Sequence, residues 1–230
     1  MPIHPLFSRP RTWPSSRRTT VAMLLAAALL AAGCDRLRAA VGAVPPLHGA
    51  AYTTAEPAPP LRLPRARIDA ATDTFDLARD GAAAGRAALV FFGYTHCPDV
   101  CPTTLADWAR VKRTLAAHAP SDTARVRFVF ITVDPERDSA AVVARYVAQF
   151  DPSFVGLTGP RPTVDAVQAA WHVSSFREPA PAGAPPASYT VSHPAQVFLV
   201  GPDGRLRTVY PLGVPPADVA ADLQQVLHGG

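Results

Sequence analysis

The sequence predicts an α/β domain, a three-layer sandwich in which a mixed central sheet is flanked by helices. Continuous apolar runs with strand character alternate with segments of helical period from residue 68 onward. Near the end of the chain a hairpin pattern replaces this alternation, and one more amphipathic segment follows it. The length of 230 residues accommodates one such domain with additional segments, and a hydrophobic content of 48% is sufficient for its core.

The first strand–helix–strand unit has the strongest pattern. Ala87–Gly93 is apolar throughout, which indicates a strand that is covered on both faces. Val126–Val133 has the same character and predicts a second buried strand. A helix is predicted between them over 103–117, with its tryptophan in the core. Its apolar residues recur at spacings of three and four: Leu105, Trp108, Val111 and Leu115.

The elements that follow are shorter. A helix is predicted over 139–150, with Asp138 as its N-cap, because an aspartate can accept hydrogen bonds from the first turn. A short strand over 154–157 and a helix over 163–171 come next. A loop over 178–187, rich in proline, alanine and glycine, then interrupts the pattern.

The last part of the chain is a hairpin and a helix. Gln196–Val200 and Arg205–Tyr210 flank Gly201–Gly204, which has the composition of a hairpin turn. Pro216–Leu227 has a helical pattern and closes the domain. Alternation first and a hairpin last imply parallel and antiparallel pairing in one sheet. Thioredoxin-like folds have this order of elements.

The first 33 residues have the parts of an export signal. The formal net charge of +4 arises entirely here, in a stretch without acidic residues, from Arg9, Arg11, Arg17 and Arg18. An apolar run over Val21–Ala32 follows; it is too short to span a bilayer, which needs about 20 residues, and it suits a signal peptide. The rest of the chain has 18 basic and 18 acidic side chains, so no basic face for nucleic acid is expected.

Cys34 predicts a lipid anchor. Leu30–Cys34 resembles the bacterial lipobox, in which cleavage precedes a cysteine that is then diacylated. Residues 34–67 combine this cysteine with proline-rich sequence that lacks hydrophobic periodicity, which predicts a tether before a domain at 68–230. We therefore expect a membrane-anchored lipoprotein of the bacterial cell envelope, with its domain in the periplasm. A plain secretory signal and an uncleaved short anchor are the alternatives.

Cys97 and Cys101 carry the most informative pattern. They lie between a predicted strand and a predicted helix, where open α/β sheets place their reactive groups. The N–H groups of a helix start stabilise a thiolate, which attacks disulfides and binds soft metal ions. With three residues between them, the two sulfurs can close a disulfide or hold one ion such as Cu(I). A structural disulfide or two inert cysteines would be the ordinary alternative.

Three segments resemble the SCO/SenC copper proteins, which are thioredoxin-like domains tethered to a membrane. Tyr94–Thr104, with the sequence YTHCPDVCPTT, is similar to the signature of that family. Thr132–Asp138 resembles its motif after the second strand, and Val191–His193 followed by Asp203–Gly204 resembles its histidine-bearing region. The similarity extends over about residues 68–227.

The resemblance implies a site and a role. Cys97, Cys101 and His193 would bind copper as Cu(I) or Cu(II), with Asp134 near the site. The protein would supply copper to subunit II of cytochrome c oxidase or another acceptor, or reduce the cysteines of that subunit. An upstream copper donor or thiol reductant would be its second partner.

Two positions depart from the family pattern. The family usually has an aspartate immediately before the ligand histidine and a small polar residue after it, whereas this chain has Ser192 and Pro194. A neutral serine removes a charge that can orient an imidazole, so we expect metal affinity or redox behaviour to differ. The identity of the ligands is affected less.

The remaining histidines and Asp138 have ordinary explanations. His96 abuts Cys97 and can lower a thiol pKa, but a loop histidine is more commonly solvated. Asp138 is most simply a helix cap, and for Asp134 a loop hydrogen bond is as good an explanation as a role in copper handling. Four other histidines lie in the tether or at helix ends, without a partner motif: His48, His118, His172 and His228.

Three functions from different classes fit these residues. The first is a copper chaperone, which the distant histidine favours because a dithiol reductase needs no third ligand. The second is a periplasmic thiol–disulfide oxidoreductase or redox sensor, although the two-residue spacing typical of reductases is absent. The third is a thiol peroxidase, whose loop pattern does not match this one.

Overall fold

The computed structural model describes residues 45–51, 56–69 and 73–229. Cys34 and the predicted signal peptide lie outside the described residues. From Pro46 onward the described residues form one compact unit. Within these ranges, no helix is both long enough and apolar enough to cross a bilayer.

A six-stranded mixed sheet forms the centre of the domain. In chain order the strands are β1 (Ala50–Ala51), β2 (Arg62–Pro64), β3 (Thr74–Asp76), β4 (Ala87–Gly93), β5 (Val126–Thr132), β6 (Val155–Leu157), β7 (Phe176–Glu178), β8 (Thr190–Ser192), β9 (Val197–Val200) and β10 (Leu206–Tyr210). The central sheet has the order β1-β10-β9-β4-β5-β6. Strands β4, β5 and β6 are parallel, and β9 is antiparallel to both β4 and β10. Strands β2 and β3 form one separate hairpin, and β7 and β8 form another.

The helices are α1 (Leu77–Asp80), α2 (Val100–His118), α3 (Pro120–Thr123), α4 (Ala140–Ala148), α5 (Arg161–Ala170) and α6 (Pro216–Leu227). Strand β4 and helix α6 have the predicted ends, and the mixed sheet is confirmed. Helix α2 begins three residues earlier than the apolar spacing predicts, so it includes Cys101. The hairpin β7–β8 was not predicted, because strands of three residues carry almost no periodic signal.

Two adjacent phenylalanines of β4 mark the two faces of the sheet. Phe91 packs against Trp108 of α2, and Phe92 packs against Trp171, which follows α5. Successive side chains of a strand point to opposite faces, so α2 and the end of α5 cover opposite sides. Helix α6 packs on α2, while α5 packs on β2. Fully buried aromatic residues therefore support β4 from both sides, and the end of this strand leads directly to Cys97.

The domain begins earlier than the sequence predicts, because part of the predicted tether packs on the sheet. Leu61 and Leu63 are buried in the core, and β1 pairs with β10 at one edge of the sheet. At the opposite edge the backbone of Arg65 forms an isolated antiparallel β-bridge with Leu157 of β6. The described residues between 46 and 67 thus reach both edges. Leu61 and Leu63 lie just before and within the three-residue strand β2. Two apolar residues in so short a stretch gave no recognisable period among the prolines.

A buried carboxylate attaches the start of this segment. Asp222 of α6 accepts a hydrogen bond from the His48 backbone N–H at 2.9 Å, and the Nδ1 atom of His48 lies 2.6 Å from the same carboxylate. The Tyr210 hydroxyl also donates to Asp222, at 2.9 Å. Gly49 approaches β10 so closely that a Cβ atom would lie 2.8 Å from the Val209 carbonyl oxygen. His48, for which the sequence offers no partner motif, is thus paired with Asp222.

Candidate metal centre

Cys97 is held by the turn that follows β4. The chain leaves the strand at Gly93 and turns at Thr95 and His96. The Cys97 N–H donates to the Tyr94 carbonyl oxygen at 3.3 Å, which closes this turn. The cysteine is half-buried, so its sulfur is within reach of solvent and of a partner.

Cys101 lies in the first turn of α2 and is fully buried. The first N–H groups of a helix have no partner within the helix. One of them, the Cys101 N–H, donates to the Cys97 sulfur at 3.4 Å. The Cys97 sulfur thereby takes the place of an N-cap acceptor, because the Asp99 side chain makes no capping bond.

Gly93 leaves room for the Cys101 sulfur. A Cβ atom at this position would lie 2.9 Å from the sulfur and 2.8 Å from the Phe130 ring, closer than real Cβ contacts. The backbone of β4 can therefore approach the cysteine only because residue 93 has no side chain. The sequence analysis did not single out Gly93; a glycine that ends an otherwise bulky buried strand was the available signal.

His193 comes from a distant part of the sequence, 92 positions after Cys101. It directly follows β8, and its Nε2 atom lies 3.6 Å from the Cys101 sulfur. Its Nδ1 atom lies 3.0 Å from the carbonyl oxygen of Pro194, an arrangement in which Nδ1 donates and Nε2 keeps a free lone pair. The ring stands edge-on to Tyr94 and Phe91, which fix its plane. A backbone carbonyl thus orients the imidazole in a chain that lacks the family's preceding aspartate.

The three side chains together form a soft ligand set. Among the described residues, they are the one group of three or more histidine, cysteine or carboxylate side chains whose ligand atoms come close enough for a shared ion. Their ligand atoms all lie within 4.8 Å of one another. Two sulfurs and one imidazole nitrogen suit Cu(I) or another soft ion and are a poor set for Mg²⁺ or Ca²⁺.

The two thiols have opposite pKa shifts. The Cys101 thiol donates toward the Cys97 sulfur, and the N–H groups of Cys101 and Asp99 add to this, which lowers the pKa of Cys97 to about 3. The pKa of Cys101 is raised, because this thiol donates a hydrogen bond to the Cys97 sulfur and is buried. At neutral pH the pair therefore consists of an accessible Cys97 thiolate and a buried Cys101 thiol. Binding a metal ion to both sulfurs releases the remaining proton.

Asp134 is fully buried and binds the hairpin that carries His193. Its carboxylate accepts hydrogen bonds from Arg137 at 2.5 Å and from the Tyr189 hydroxyl at 2.8 Å. Arg137 also donates to the carbonyl oxygen of Tyr189, at 2.9 Å, and its guanidinium stacks on the Tyr189 ring. Tyr189 directly precedes β8, so this cluster fixes the strand that leads into His193. Sequence reasoning missed Tyr189, because nothing local links it to residues some fifty positions earlier.

Asp138 is not the N-cap of α4. Ser139 occupies the cap position, and the Asp138 carboxylate turns inward to accept hydrogen bonds from Thr95 and Thr132. The donors of half-buried Thr95 and buried Thr132 need a protein acceptor, whereas the N–H groups of the first helical turn can also bond to water. The Asp138 carboxylate therefore bonds to the threonines and does not cap the helix. His96 is half-exposed, as expected, and its Nδ1 atom lies 3.6 Å from this carboxylate.

Three further histidines of the described residues lie apart from the ligand set. His172 is exposed after α5, in a left-handed conformation with φ of 53°. The Nδ1 atom of His118 lies 2.9 Å from the Thr114 carbonyl oxygen at the end of α2. His228 has a partner that the sequence did not reveal, since its Nε2 atom lies 2.9 Å from the buried carboxylate of Asp122.

Comparisons with known proteins identify the family to which the chain is similar. The family model described as SCO1/SenC matches residues 70–228. The mitochondrial SCO2 homolog of Mus musculus is 41% identical over 126 residues, which are 55% of this chain and 48% of that protein. This chain spans about half the length of the curated relatives it matches.

Two solved structures are also similar. The solution structure of apo Sco1 from Thermus thermophilus has a TM-score of 0.65 and 32% identity, and the match covers 80% of this chain and 98% of that one. Bradyrhizobium japonicum ScoI with copper bound has a TM-score of 0.60 and 33% identity, with coverages of 74% and 99%. The thioredoxin-like fold is thereby confirmed.

Proposed function

The chain belongs to the SCO1/SenC family, and we propose that it is a copper-binding chaperone that acts in the assembly of cytochrome c oxidase. Cys97, Cys101 and His193 would hold the ion. One observation carries the proposal: two sulfurs and an imidazole nitrogen, brought from a turn, a helix and a distant loop, lie within 4.8 Å of one another. The copper-bound relative from Bradyrhizobium japonicum supports copper as the ion.

The arrangement suits delivery as well as binding. Three ligands leave a copper ion open to a further ligand from a partner, and the partly exposed Cys97 and His193 lie on the accessible side of the site. A partner's thiolate or imidazole can then replace these ligands one at a time. We propose subunit II of cytochrome c oxidase, or another copper acceptor, as the recipient, and a copper donor or thiol reductant as the upstream partner.

We further propose that the protein acts as a lipoprotein, anchored at Cys34 with its domain in the periplasm of a bacterial cell. One acyl chain binds a membrane weakly and several chains bind it stably, so full acylation of this cysteine would be required. Fractionation of cells that express the wild type or Cys34→Ser tests the anchor. If both proteins stay in the membrane pellet after a salt wash, the anchor is not the lipid at Cys34.

Metal analysis tests the copper site. The full chain is purified reduced and without oxygen, loaded with Cu(I), and freed of loosely bound metal with a chelator. We expect one copper per chain in the wild type, none in Cys97→Ala or Cys101→Ala, and weakened binding in His193→Ala. Retention of one tightly bound copper by the double cysteine variant would refute the site. His118→Ala is the control for a histidine outside the ligand set.

A second function is favoured by the unequal thiols. The Cys97 thiolate can attack a disulfide of a partner, forming a mixed disulfide while the partner's other sulfur leaves as a thiolate. The Cys101 sulfur then attacks Cys97, the partner is released as a dithiol, and a Cys97–Cys101 disulfide remains. An upstream thiol reductant must restore the pair. Both activities can coexist, because copper binding requires the reduced thiols.

A further inference from the structure

Asp138 is a completely buried carboxylate that takes no part in the ligand set. Three hydrogen bonds from uncharged groups reach it. The Thr95 N–H donates to Oδ2 at 2.9 Å, the Thr95 hydroxyl donates to Oδ1 at 2.6 Å, and the Thr132 hydroxyl donates to Oδ2 at 2.6 Å. Burying an aspartate is costly unless such donors surround it, so the position is not one that packing alone would favour.

The backbone of Asp138 is also held by hydrogen bonds. The Asp138 N–H donates to the Asp134 carbonyl oxygen at 3.0 Å, in the tight turn after β5. The buried Thr158 hydroxyl donates to the Asp138 carbonyl oxygen, also at 3.0 Å. Its side chain therefore projects from a rigid loop and not from a mobile one.

Two of the three bonds end on Thr95, which determines the direction of the turn before Cys97. Thr95 and His96 are the central residues of the turn that the Cys97 N–H closes on Tyr94. Cys101 is fixed by its helix, whereas Cys97 lies before that helix begins. The orientation of Cys97 thus depends on how Thr95 is held, and Asp138 holds both its N–H and its hydroxyl.

We infer that Asp138 is a positioning residue for Cys97, which holds the Thr95 turn so that the Cys97 sulfur stays within reach of the Cys101 sulfur and the His193 ring. For copper, the inference rests on the proposed function. The positioning of one sulfur against the other does not, and it can be measured separately.

Three variants separate position from charge. Asp138→Ala removes all three hydrogen bonds. Asp138→Asn removes the charge but keeps an oxygen for the Thr95 N–H and the Thr132 hydroxyl, and its amide can donate to the Thr95 hydroxyl oxygen. Thr95→Val removes one hydroxyl and keeps the backbone bond. Tyr210→Phe is the matched control, because it removes one hydroxyl bond to a different buried carboxylate, Asp222.

The first readout is Cu(I) affinity of the full chain, from competition with a chromophoric chelator without oxygen. We expect affinity to fall about tenfold in Thr95→Val, which loses one bond to Thr95, and roughly a hundredfold in Asp138→Ala, which loses both, since each such bond is worth about one order of magnitude. Asp138→Asn and Tyr210→Phe should bind like the wild type. If Asp138→Asn binds Cu(I) as weakly as Asp138→Ala, the charge of Asp138 and not its positioning role determines the affinity, and the inference is refuted. Unchanged affinity in Thr95→Val would also refute it, even if Asp138→Ala does not fold.

The second readout needs no copper. The equilibrium between the Cys97–Cys101 dithiol and its disulfide, measured against glutathione, reports the effective concentration of one sulfur at the other. We expect it to shift toward the dithiol by about tenfold in Thr95→Val and not in Tyr210→Phe. No shift would refute the positioning role. If the wild type binds no copper while this equilibrium responds, the proposed function fails and the inference about Asp138 stands.

Discussion

Each of the three side chains at the candidate metal centre is held by a different kind of backbone feature. Cys97 is held by a turn, Cys101 by the first turn of α2, and His193 by the carbonyl oxygen of Pro194 and two aromatic rings. The thiolate and the imidazole have separate supports. Removing His193 therefore need not disturb the two cysteines, whereas removing Cys97 also removes the acceptor of the Cys101 N–H.

His193 distinguishes a copper chaperone from a reductase. Thiol–disulfide exchange needs an attacking thiolate and a resolving thiol, and both remain in His193→Ala. We expect this variant to reduce a disulfide in a partner domain nearly as fast as the wild type and to lose copper transfer to that domain. His118→Ala, which changes an exposed histidine outside the ligand set, is the control. Full oxidase activity under copper limitation in cells with His193→Ala would instead make reduction the essential task.

Gly93 is expected to be hard to replace, because its neighbours include a ligand sulfur. In Gly93→Ala the new methyl group would overlap the Cys101 sulfur and the Phe130 ring, and such overpacking costs about 1–3 kcal/mol. We expect lower thermal stability and roughly tenfold weaker copper binding, because the sulfur must move. Gly159→Ala is the control, since its Cβ would meet neighbours only at ordinary contact distances. Copper affinity that is equal in the two variants would contradict this role.

At the scale of elements, the β7–β8 hairpin acts as the arm that presents His193. It forms a sheet of its own and is bonded to the loop after β5 through Asp134, Arg137 and Tyr189. Asp134 therefore contributes at a distance from the sulfurs, which gives a structural reason for an aspartate at this position.

Weakening the contacts of the β7–β8 hairpin should lower the copper affinity only through its effect on His193. Tyr189→Phe removes a hydroxyl bond to a buried carboxylate, worth about 1.5 kcal/mol, and we expect faster proteolysis of the loop at 178–187 and weaker copper binding. Combined with His193→Ala it should cause no additional loss of affinity, because the two changes act on one ligand. Additive losses in this double-mutant cycle would show that the hairpin acts on the cysteines as well.

The elements also show how far the sequence could predict the molecule. Strand β4 and helix α6 were predicted to the residue, because long periodic segments carry their own signal. The cysteine pair was local and visible, whereas His193 was accessible only through the family resemblance, since it meets Cys101 across 92 positions. The hairpin β7–β8, the Asp138 contacts and the docking of 46–67 depend on tertiary packing, which residue spacing does not contain.

At the scale of the whole molecule, stability should depend on pH through His48. The hydrogen bond to Asp222 raises the pKa of His48 above its ordinary value of 6.5. This contribution is fully present below the unfolded value and is lost as the pH rises through the folded value. We expect the melting temperatures of wild type and His48→Gln to differ more at about pH 6 than at about pH 9. A difference that is constant with pH would show that only the backbone contacts of the segment matter.

The described residues between 46 and 67 also cover parts of both edges of the central sheet. Exposed edge strands offer unpaired N–H and C=O groups to other chains, and are a common origin of aggregation. Here β1 covers β10 at one edge and Arg65 covers part of β6 at the other, while Leu61 and Leu63 fill the space between the edges and the core. A recombinant fragment that begins at residue 68 would lack β1, Arg65, Leu61 and Leu63. It would therefore expose the edge strands β10 and β6 and the apolar surface that the two leucines cover. Soluble material for metal and redox measurements therefore has to begin before residue 46, although the cysteines and the histidine lie far downstream.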